Sequence, residues 1–384
     1  MRLVFVTGAL NHGGAERHSI ALVNRLGERG HECHAVYVKD GAAQLSRLRG
    51  AASTTCLRAA RYLDGRSVRA LAELLSKCSP GVVVAANAYA AMYARLALRL
   101  SRVRAALAIT YHTTVLADLK ERLQMLYYRP LFWSADCVVF VCEAQRRYWL
   151  ERRLRGRRNE VIYNGIDPAA WRPRADDEAA AARRRLGLAD EDFVVGMCAL
   201  LRPEKNHVQM VDAIAALRAR GVPARALLIG EGPTRAAIEA RAAQRGVARH
   251  VLITGMQEEV RPLLAACDAV ALCSTRVETF SMAALEAMAM ARPVVHADLG
   301  GAAEMITHGA DGYLFPVGDT PALVARLAEL ALPAARKRMG AAARASVASR
   351  FAEQAMVERY EQLFLELETT RSIRETSPRL RGAN

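Results

Sequence analysis

Short apolar runs alternate along the chain with longer amphipathic or alanine-rich stretches. The runs are rich in Val, Ile and Leu, as buried parallel strands usually are, and the stretches between them have helical patterns. This alternation predicts βαβ units. The predicted strands are Leu3–Thr7, His34–Val38, Gly81–Ala85, Ala106–Tyr111, Cys137–Val141, Val161–Tyr163, Phe193–Cys198, Arg225–Ile229, Val251–Thr254, Ala269–Cys273 and Pro293–His296.

The strands fall into two series, separated by a turn rich in Gly and Pro between residues 164 and 173. Two series predict two Rossmann-like, doubly wound α/β domains, residues 1–172 and 173–350. We expect residues 351–369 to form a helix that packs back on the first domain, and the polar, basic residues 370–384 to be a disordered tail. Ligands are expected in a cleft between the domains, at the carboxyl ends of the strands.

The charge of the chain is unevenly distributed. The 384 residues have a formal charge of +15, but residues 1–172 contain 27 Lys and Arg against 13 Asp and Glu, whereas residues 173–384 contain 27 against 26. A basic first half suggests an anionic partner, namely nucleic acid, an acidic membrane surface or a phosphorylated substrate. A solvated, arginine-rich surface is the alternative.

Three features indicate a cytoplasmic protein. No apolar run is long enough for a membrane-spanning helix, and no secretory signal follows Met1. The eight cysteines never form a CxxC pair, which is typical of reduced thiols and not of a disulfide or zinc framework.

In the first half, candidate residues follow two predicted strands. Gly13 and Gly14 precede a predicted helix, where two glycines let the backbone approach a phosphate; a purely structural turn is the alternative. His112 follows the strand Ala106–Tyr111, where it could hydrogen-bond a sugar hydroxyl or orient a reacting group, or serve only the structure.

In the second half, charged residues follow two predicted strands. Arg202 and Lys205 stand three residues apart beside a helix start, a pattern that suits a diphosphate. Glu278 and Glu286 are eight residues apart, which on one continuous helix would leave them about 80° from a common face. They can therefore converge only if Glu278 stands in a loop and Glu286 in a helix, for which Ser281 is the predicted N-cap.

Together these segments resemble glycosyltransferase family 4, a family of retaining enzymes with the GT-B fold, from residue 2 to about residue 365. The motifs that carry the resemblance occur in the family's order. They are Gly13–Glu16, Gly30-His31, His112, Val161–Asp167, Arg202–Asn206, Gly230–Pro233, the Glu278/Glu286 pair, Gly300-Gly301 with Glu304, and Gly312–Leu314.

The resemblance implies a role for each matching residue. Lys205 and Arg202 would neutralise the nucleotide diphosphate, Glu286 would bind the ribose, Glu278 would hold the donor sugar, and His112 would contact the sugar near the reacting centre. The implied catalytic residues are thus His112, Glu278, Arg202 and Lys205. The implied donor-binding residues are Gly13, Gly14, Arg202, Lys205, Gly230, Met256, Gln257, Glu278, Thr279, Phe280, Ser281, Met282 and Glu286, and Glu16 and Asn87 are assigned to the acceptor. No metal or other cofactor is expected, because Arg, Lys and helix amides can do the electrostatic work.

Two departures from the family pattern concern the donor site. Leu200 stands where the family often has Arg, and we expect Arg202 to supply that charge. Thr279 and Ser281 replace two glycines of the usual E-G-F-G, so Thr279 is expected to narrow the sugar pocket.

The expected function is transfer, with retention, of a sugar from a nucleotide diphosphate, with UDP-hexose or UDP-N-acetylhexosamine favoured. The expected acceptor is a cell-envelope glycan or a lipid-linked or lipopolysaccharide precursor, at the inner face of the cytoplasmic membrane. One alternative is a GT-B sugar-nucleotide epimerase, for which Glu16 is the one candidate carboxylate in the first domain. A nucleic-acid-binding protein is the other, although no recognisable nucleic-acid module occurs.

Two stretches of the first half combine basic and apolar residues. These are residues 95–104, with four arginines, and residues 120–133, with Lys120, Arg122 and Arg129 among aromatic and aliphatic residues. Such a mixture suits an interfacial helix on anionic lipid. The alternative is an ordinary core face with a solvated basic side.

Overall fold

The computed structural model describes residues 1–11, 13–113, 119–276 and 278–376. Its strands are β1 Arg2–Thr7, β2 Glu32–Tyr37, β3 Ser53–Cys56, β4 Val82–Ala86, β5 Ala106–Tyr111, β6 Cys137–Phe140, β7 Arg158–Val161, β8 Phe193–Cys198, β9 Ala224–Ile229, β10 Val251–Ile253, β11 Ala269–Leu272, β12 Val294–Ala297 and β13 Gly312–Phe315. Its α-helices are α1 Gly14–Glu28, α2 Gly65–Cys78, α3 Asn87–Ser101, α4 Leu119–Trp133, α5 Glu143–Glu151, α6 Asp176–Arg185, α7 His207–Ala219, α8 Arg235–Gln244, α9 Arg261–Ala265, α10 Met282–Ala289, α11 Ala302–Met305, α12 Thr320–Leu330, α13 Pro333–Arg350 and α14 Glu353–Thr376.

The chain folds as two α/β units. Unit 1 contains Met1–Asn164 together with the C-terminal segment from Ala355, and unit 2 contains Gly165–Gln354. The sequence places the domain boundaries at 172/173 and 350/351. In the structure the first break lies eight residues before the first of these positions and the second break four residues after the other.

Each unit has a parallel sheet with the same strand order. The sheet of unit 1 runs β3-β2-β1-β4-β5-β6-β7, and that of unit 2 runs β10-β9-β8-β11-β12-β13. In both, the chain starts at a central strand, builds outward to one edge and then crosses back to build the other half. The direction reverses between β1 and β4 in unit 1 and between β8 and β11 in unit 2, and doubly wound sheets bind ligands at such a reversal. The fold is therefore the predicted pair of Rossmann-like units.

Apolar side chains alternate between the two faces of the first sheet, and different helices cover each face. Leu3 and Phe5 pack with α1 and with Tyr360 and Phe364 of α14. Val4, on the opposite face, packs in the core to which α2, α3, α4 and α5 contribute. The C-terminal helix thus supplies part of a core whose central strand begins at residue 2.

Three strand predictions need correction, and all three concern edge strands. The predicted strand Val161–Tyr163 lies instead at β7, Arg158–Val161, where polar residues pair with β6. Strands β3 and β13 were not predicted. Strand β3 has the polar sequence Ser-Thr-Thr-Cys, half of it exposed, so it lacks the apolar signal of a buried strand.

The predicted start of a disordered tail at residue 370 is also wrong, because α14 continues to Thr376. Arg371 on this last part of the helix donates to the Asp136 carboxylate at 3.0 Å. This anchor extends the helix beyond the last apolar contact, at Leu367. Residues 377–384 lie outside the described part of the chain.

Two further observations bear on the class of protein. No helix in the described ranges has both the length and the apolar character needed to cross a bilayer. All eight cysteines are free thiols.

Candidate functional site

In unit 2, the predicted donor residues follow the two strands that flank the reversal of the sheet. Lys205 comes in the connection from β8 to α7, and Glu278 in the connection from β11 to α10. A hydrogen bond joins these connections, because the Thr275 amide donates to the Glu204 carbonyl at 2.8 Å. The two segments, 73 residues apart in sequence, thus form one edge.

The centre of this edge is an ion pair. The Lys205 Nζ lies 2.7 Å from the Glu278 Oε2, with 23% and 11% of the side chains exposed. The Ser274 hydroxyl donates to the same Glu278 oxygen at 2.8 Å. Lys205 ends a 3₁₀ turn, Pro203–Lys205, and the left-handed Asn206 (φ 54°) then starts α7. The two charges are therefore held by short, well-defined turns.

The pair keeps Glu278 ionised. Burial alone would raise the pKa of Glu278, but the charge of Lys205 and the hydrogen bonds from Lys205 and Ser274 hold the pKa below its ordinary value. His296 lies at the end of β12, is buried, and its Nδ1 donates to the Ala297 carbonyl at 2.6 Å. Burial lowers the pKa of His296, so its imidazole is neutral at pH 7. The site thus presents one cation and one anion side by side.

Helix α10 brings the second glutamate to the same connection. Ser281 is its N-cap and accepts a hydrogen bond from the Ala284 amide at 3.3 Å, as predicted. Glu278 stands in the loop before this helix and Glu286 within it, buried to 1% exposure. The two carboxylates therefore belong to different elements, as their spacing requires.

A second loop packs directly on the segment Glu278–Thr279. The Gly301 amide donates to the Thr279 carbonyl at 2.8 Å. Gly300 has a left-handed backbone (φ 62°), and a Cβ atom there would collide with the Glu278 carbonyl oxygen. This glycine therefore permits the close approach that holds the Glu278 segment in place.

The predicted residues after β9 and β10 lie beside those after β8. The Leu201 amide donates to the Glu231 carbonyl at 3.0 Å, and Gly230 forms a bridge with Gly255. Met256 follows and is 49% exposed, and the side-chain amide of Gln257 donates through Nε2 to the Thr254 carbonyl at 2.8 Å. Gly230, Met256 and Gln257 thus belong to the edge that carries Lys205.

The carboxylate beside Arg202 is that of Glu204 and not that of Glu278. Arg202 is 57% exposed, and its guanidinium lies 3.9 Å from the Glu204 carboxylate. Its role as the replacement for the family arginine at Leu200 stays a prediction.

The sequence did not single out His207, the first residue of α7. It is 2% exposed, and neither ring nitrogen has a hydrogen-bond partner among the described residues. Burial, and then the charge of Lys205, lower its pKa to about 4. It is a neutral, buried neighbour of the ion pair, and only its position two residues after Lys205 could have indicated it.

In unit 1, the predicted phosphate loop has a carboxylate beside it. Gly13 is the N-cap of α1, without a side-chain cap, and Glu16 lies in the first helical turn. A Cβ atom at Gly13 would collide with the Glu16 carboxylate. Burial raises the pKa of Glu16, against a backbone hydrogen bond that lowers it. The Glu16 carboxylate thus lies against the Gly13-Gly14 loop, so a phosphate bound to this loop would lie beside a carboxylate.

His112 directly follows β5 and is held by its neighbours. Its backbone amide donates at 2.9 Å to the side chain of Asn87, a left-handed residue (φ 67°) at the start of α3. Burial lowers the pKa of His112 to about 4, so the imidazole is neutral at pH 7. The structure therefore brings His112 and Asn87 together, with Asn87 bonded to the histidine backbone.

Buried residues that the sequence did not single out surround His112. The His18 ring lies edge-on to the His112 ring, with centroids 4.9 Å apart, and the His18 Nε2 is 3.2 Å from the Tyr360 hydroxyl of α14. The Gln145 and Trp149 side chains donate to the Thr113 carbonyl at 3.0 and 2.7 Å. No local motif indicates these contacts, because they join segments far apart in the chain.

Two family models match this chain. Glycosyltransferase Family 4 matches residues 12–170, and Glycosyl transferases group 1 matches residues 178–346. Together they cover most of both units.

Among curated proteins, the chain is 30% identical over 209 residues to N-acetyl-alpha-D-glucosaminyl L-malate synthase of Bacillus anthracis, covering 54% of each protein. It is 38% identical over 168 residues to D-inositol 3-phosphate glycosyltransferase of Jonesia denitrificans, covering 41% of this chain and 39% of that protein. The chain spans between 39% and 64% of the length of the first curated relatives it matches.

Among solved structures, HepE of Anabaena in complex with UDP-glucose superposes with a TM-score of 0.85 at 22% identity, covering 95% of this chain and 100% of that one. This likeness concerns the fold. With both family models matched in order and both sheets wound alike, the chain belongs to glycosyltransferase family 4 and has the GT-B fold.

Proposed function

We propose that this protein is a retaining glycosyltransferase that moves a hexose or N-acetylhexosamine from a UDP-sugar to a cell-envelope acceptor, without a metal ion. The acceptor is a glycan or a lipid-linked or lipopolysaccharide precursor at the inner face of the cytoplasmic membrane. The observation that carries the proposal is the Lys205–Glu278 pair at the reversal of the unit 2 sheet.

The chemistry of that edge suits a nucleotide diphosphate. Lys205 neutralises the charge that develops on the leaving diphosphate, and the first amides of α10, beyond Ser281, favour an anion. Arg202 adds a second cation. Because these groups supply positive charge at the leaving group, the proposed transfer needs no metal.

Hydrogen-bonding groups at the same edge are assigned to the rest of the donor. The ionised Glu278 accepts from a sugar hydroxyl, and the buried Glu286 accepts from the ribose. Met256 and Gln257 meet the base through their main chain. In unit 1 the neutral His112 is assigned to the sugar, and the Gly13-Gly14 backbone to the diphosphate.

Retention follows if the acceptor attacks the face from which the diphosphate leaves. In the proposed step the bond from the anomeric carbon to the acceptor oxygen forms as the bond to the diphosphate oxygen breaks. A phosphate oxygen of the donor takes the acceptor proton. The role of the chain is then to hold both groups and stabilise the leaving charge.

The comparisons support a UDP donor and an acceptor that carries negative charge. HepE was solved with UDP-glucose, which favours UDP. One curated relative is, by its name, an N-acetylglucosaminyl malate synthase, and the other is a glycosyltransferase of inositol 3-phosphate. Malate and inositol 3-phosphate are both anions. An anionic acceptor also agrees with the excess of basic residues in residues 1–172.

The test is UDP release and product analysis with a panel of UDP-sugars, comparing wild type with Lys205→Ala. We expect Lys205→Ala to lower kcat at least about 100-fold, as the loss of one group that stabilises a developing charge does. Lys337→Ala is the matched control, because Lys337 is exposed on α13 of the same unit. Equal turnover in all three proteins would contradict the proposal.

Product analysis separates the epimerase. Incubation with donor alone should give free sugar by slow hydrolysis, with the anomeric configuration of the donor retained. A new sugar nucleotide in that incubation would replace the transferase proposal by the epimerase.

A further inference from the structure

Helix α4 of unit 1 is apolar on two sides. Met125, Tyr128 and Phe132 point into the core and are at most 6% exposed. Leu126 and Tyr127 are 55% and 63% exposed. The helix therefore presents a second apolar face beyond the one its own core uses, and such faces mark interaction sites.

A cavity of about 450 Å³ lies on one side of this second face. It is lined by the apolar side chains of Leu123, Leu126 and Trp149, with Arg129 and Arg152 as its charged members. Leu123 is 59% exposed. This cavity is an apolar recess with two guanidinium groups.

A second cavity, of about 400 Å³, lies between α3 and α4. Leu126 also lines this one, together with Met92 and Tyr127, and its charged members are Arg95 and Arg99. Leu126 thus separates two apolar recesses, each of which has two arginines. Two apolar recesses with two arginines each are not needed to pack a surface helix on its own core.

Most of these arginines lack a balancing carboxylate. Among the described residues, Arg95, Arg99 and Arg129 form no salt bridge, and the Arg95 Nε is buried without a hydrogen-bond partner. Burial and the neighbouring Arg99 lower the pKa of Arg95, and the charge of Asp136 opposes this shift without reversing it.

Arg152 stacks on the Tyr148 ring at 3.7 Å and donates to the Tyr148 carbonyl at 3.0 Å. The carboxylate that it meets is that of its sequence neighbour, Glu151, at 3.6 Å. The surface thus has more positive charge than its nearby carboxylates neutralise, because Asp136 is also paired with Arg157 and Arg371.

We propose that this surface, formed by α4 with the adjoining parts of α3 and α5, docks on a bilayer of anionic phospholipid. Leu123, Leu126 and Tyr127 insert at the headgroup boundary, and the two recesses take acyl-chain segments. The four arginines, Arg95, Arg99, Arg129 and Arg152, bind lipid phosphates.

Lipid fits this combination better than other anionic partners. Guanidinium groups bind phosphate in a bidentate manner, so nucleic acid would satisfy the charge. Nucleic acid would leave the aliphatic Leu123 and Leu126 and both apolar recesses unused, whereas an anionic bilayer satisfies charge and apolar area together. The inference deepens the proposed function, since a lipid-linked acceptor would be met at this surface.

The experiment is co-sedimentation of the purified full chain with vesicles of phosphatidylglycerol and phosphatidylcholine, and with vesicles of phosphatidylcholine alone. We expect binding to the anionic vesicles that weakens as salt rises. Arg99→Glu/Arg129→Glu should reduce the partition coefficient at least about tenfold. Leu123→Ser/Leu126→Ser should reduce it about tenfold through the lost apolar area.

Matched controls change the same chemistry elsewhere. Arg184→Glu/Arg185→Glu alters two exposed arginines on α6 of unit 2 and changes the net charge equally. Leu332→Ser alters a leucine that is 64% exposed between α12 and α13. Both controls should bind the anionic vesicles within about twofold of wild type. Unchanged melting temperatures would show that the variants fold.

Three outcomes would overturn the proposal. These are no binding of wild type to anionic vesicles at low salt, equal binding to phosphatidylcholine alone, or surface variants that bind like their controls. Tight binding of a single-stranded RNA oligonucleotide that Arg99→Glu/Arg129→Glu abolishes, and that Leu123→Ser/Leu126→Ser does not change, would replace lipid by nucleic acid. Donor hydrolysis without vesicles tests the proposed function separately, so the two failures can be told apart.

Discussion

The sheets of units 1 and 2 are wound in the same order, with one further strand, β7, in unit 1. The two units differ in where their charged side chains lie. Unit 2, in the nearly neutral half of the sequence, places a cation and an anion 2.7 Å apart at the reversal of its sheet. Unit 1, in the basic half, has the neutral residues His18, His112 and Tyr360 near its own strand ends, while its unpaired arginines lie on outer helices. The net charge of a unit therefore does not indicate where its polar chemistry lies.

The difference has a consequence for ligand binding in unit 2. Lys205 is already neutralised by Glu278, so a diphosphate must compete with, or share, an existing partner. The pair holds the lysine in one position before a ligand arrives, which reduces the ordering cost of binding. In unit 1 the neutral groups are held by packing and by hydrogen bonds between uncharged groups, such as that of His18 with Tyr360, so their positions do not depend on an ion pair.

Among the substitutions that test this difference between the units, Gly300→Ala is expected to have the largest effect on stability and donor affinity. The left-handed backbone and the collision with the Glu278 carbonyl should together cost about 3 kcal/mol of unfolding free energy and displace the Glu278 segment. Denaturant unfolding and donor affinity measure the two effects.

Gly309→Ala is the control for that substitution. Gly309 is also left-handed (φ 82°), but a Cβ atom there meets nothing within 4 Å. Gly309→Ala should lower the unfolding free energy by about 1 kcal/mol, from the left-handed backbone alone, and should leave donor affinity unchanged. Equal losses in the two variants would mean that the contact with Glu278 contributes nothing.

A smaller effect is expected from the titration of His112. The unfolded chain protonates this side chain near pH 6.5, whereas the folded chain does so only near pH 4. Its contribution to stability is therefore complete above pH 6.5 and is lost as the pH falls toward 4. At pH 5.5 wild type should have lost about 1 kcal/mol more than His112→Asn, relative to pH 7.5.

Unfolding curves at the two pH values measure this difference. A wild type and a His112→Asn variant with the same pH dependence would show that the imidazole is not held neutral. That result would contradict the statement that the residues around His112 form a neutral site, in contrast to the charged site of unit 2.

The smallest effect is expected from Tyr360→Phe. It removes the hydrogen bond to His18 and leaves a buried ring nitrogen without that partner, at a cost of about 1 kcal/mol or less. Thermal unfolding measures the cost, with Tyr62→Phe, an exposed tyrosine, as the control. A change in the pH profile of kcat in Tyr360→Phe would show that the contact affects a titrating group and not packing alone.

The sequence predicted the interior strands of both sheets well, but of the four edge strands it predicted only β10. The bounds of β5 and β8 are those predicted, because both are apolar runs buried on two faces. The errors fall at β3 and β7, the two edge strands of the first sheet, and at β13, an edge strand of the second. An edge strand pairs on one side only and tolerates polar residues, so periodicity cannot separate it from a loop.

The site shows the same division between local and distant information. The positions of Glu278, Ser281 and Glu286 in loop, cap and helix followed from spacing and capping rules. The contact of Lys205 with Glu278 and that of His18 with Tyr360 did not, because they join residues 73 and 342 positions apart. Such contacts depend on the order of the strands in the sheet and on the path of the connections between them. A local sequence pattern carries no information on either.

The return of α14 to unit 1 sets an order of events during synthesis. A ribosome completes the strands and the other helices of unit 1, and then all of unit 2, before Tyr360 and Phe364 exist. Until they emerge, Leu3 and Phe5 lack part of their cover, while every residue of unit 2 has already been made. The core of unit 1 can therefore be completed only after every residue of unit 2 has been synthesised.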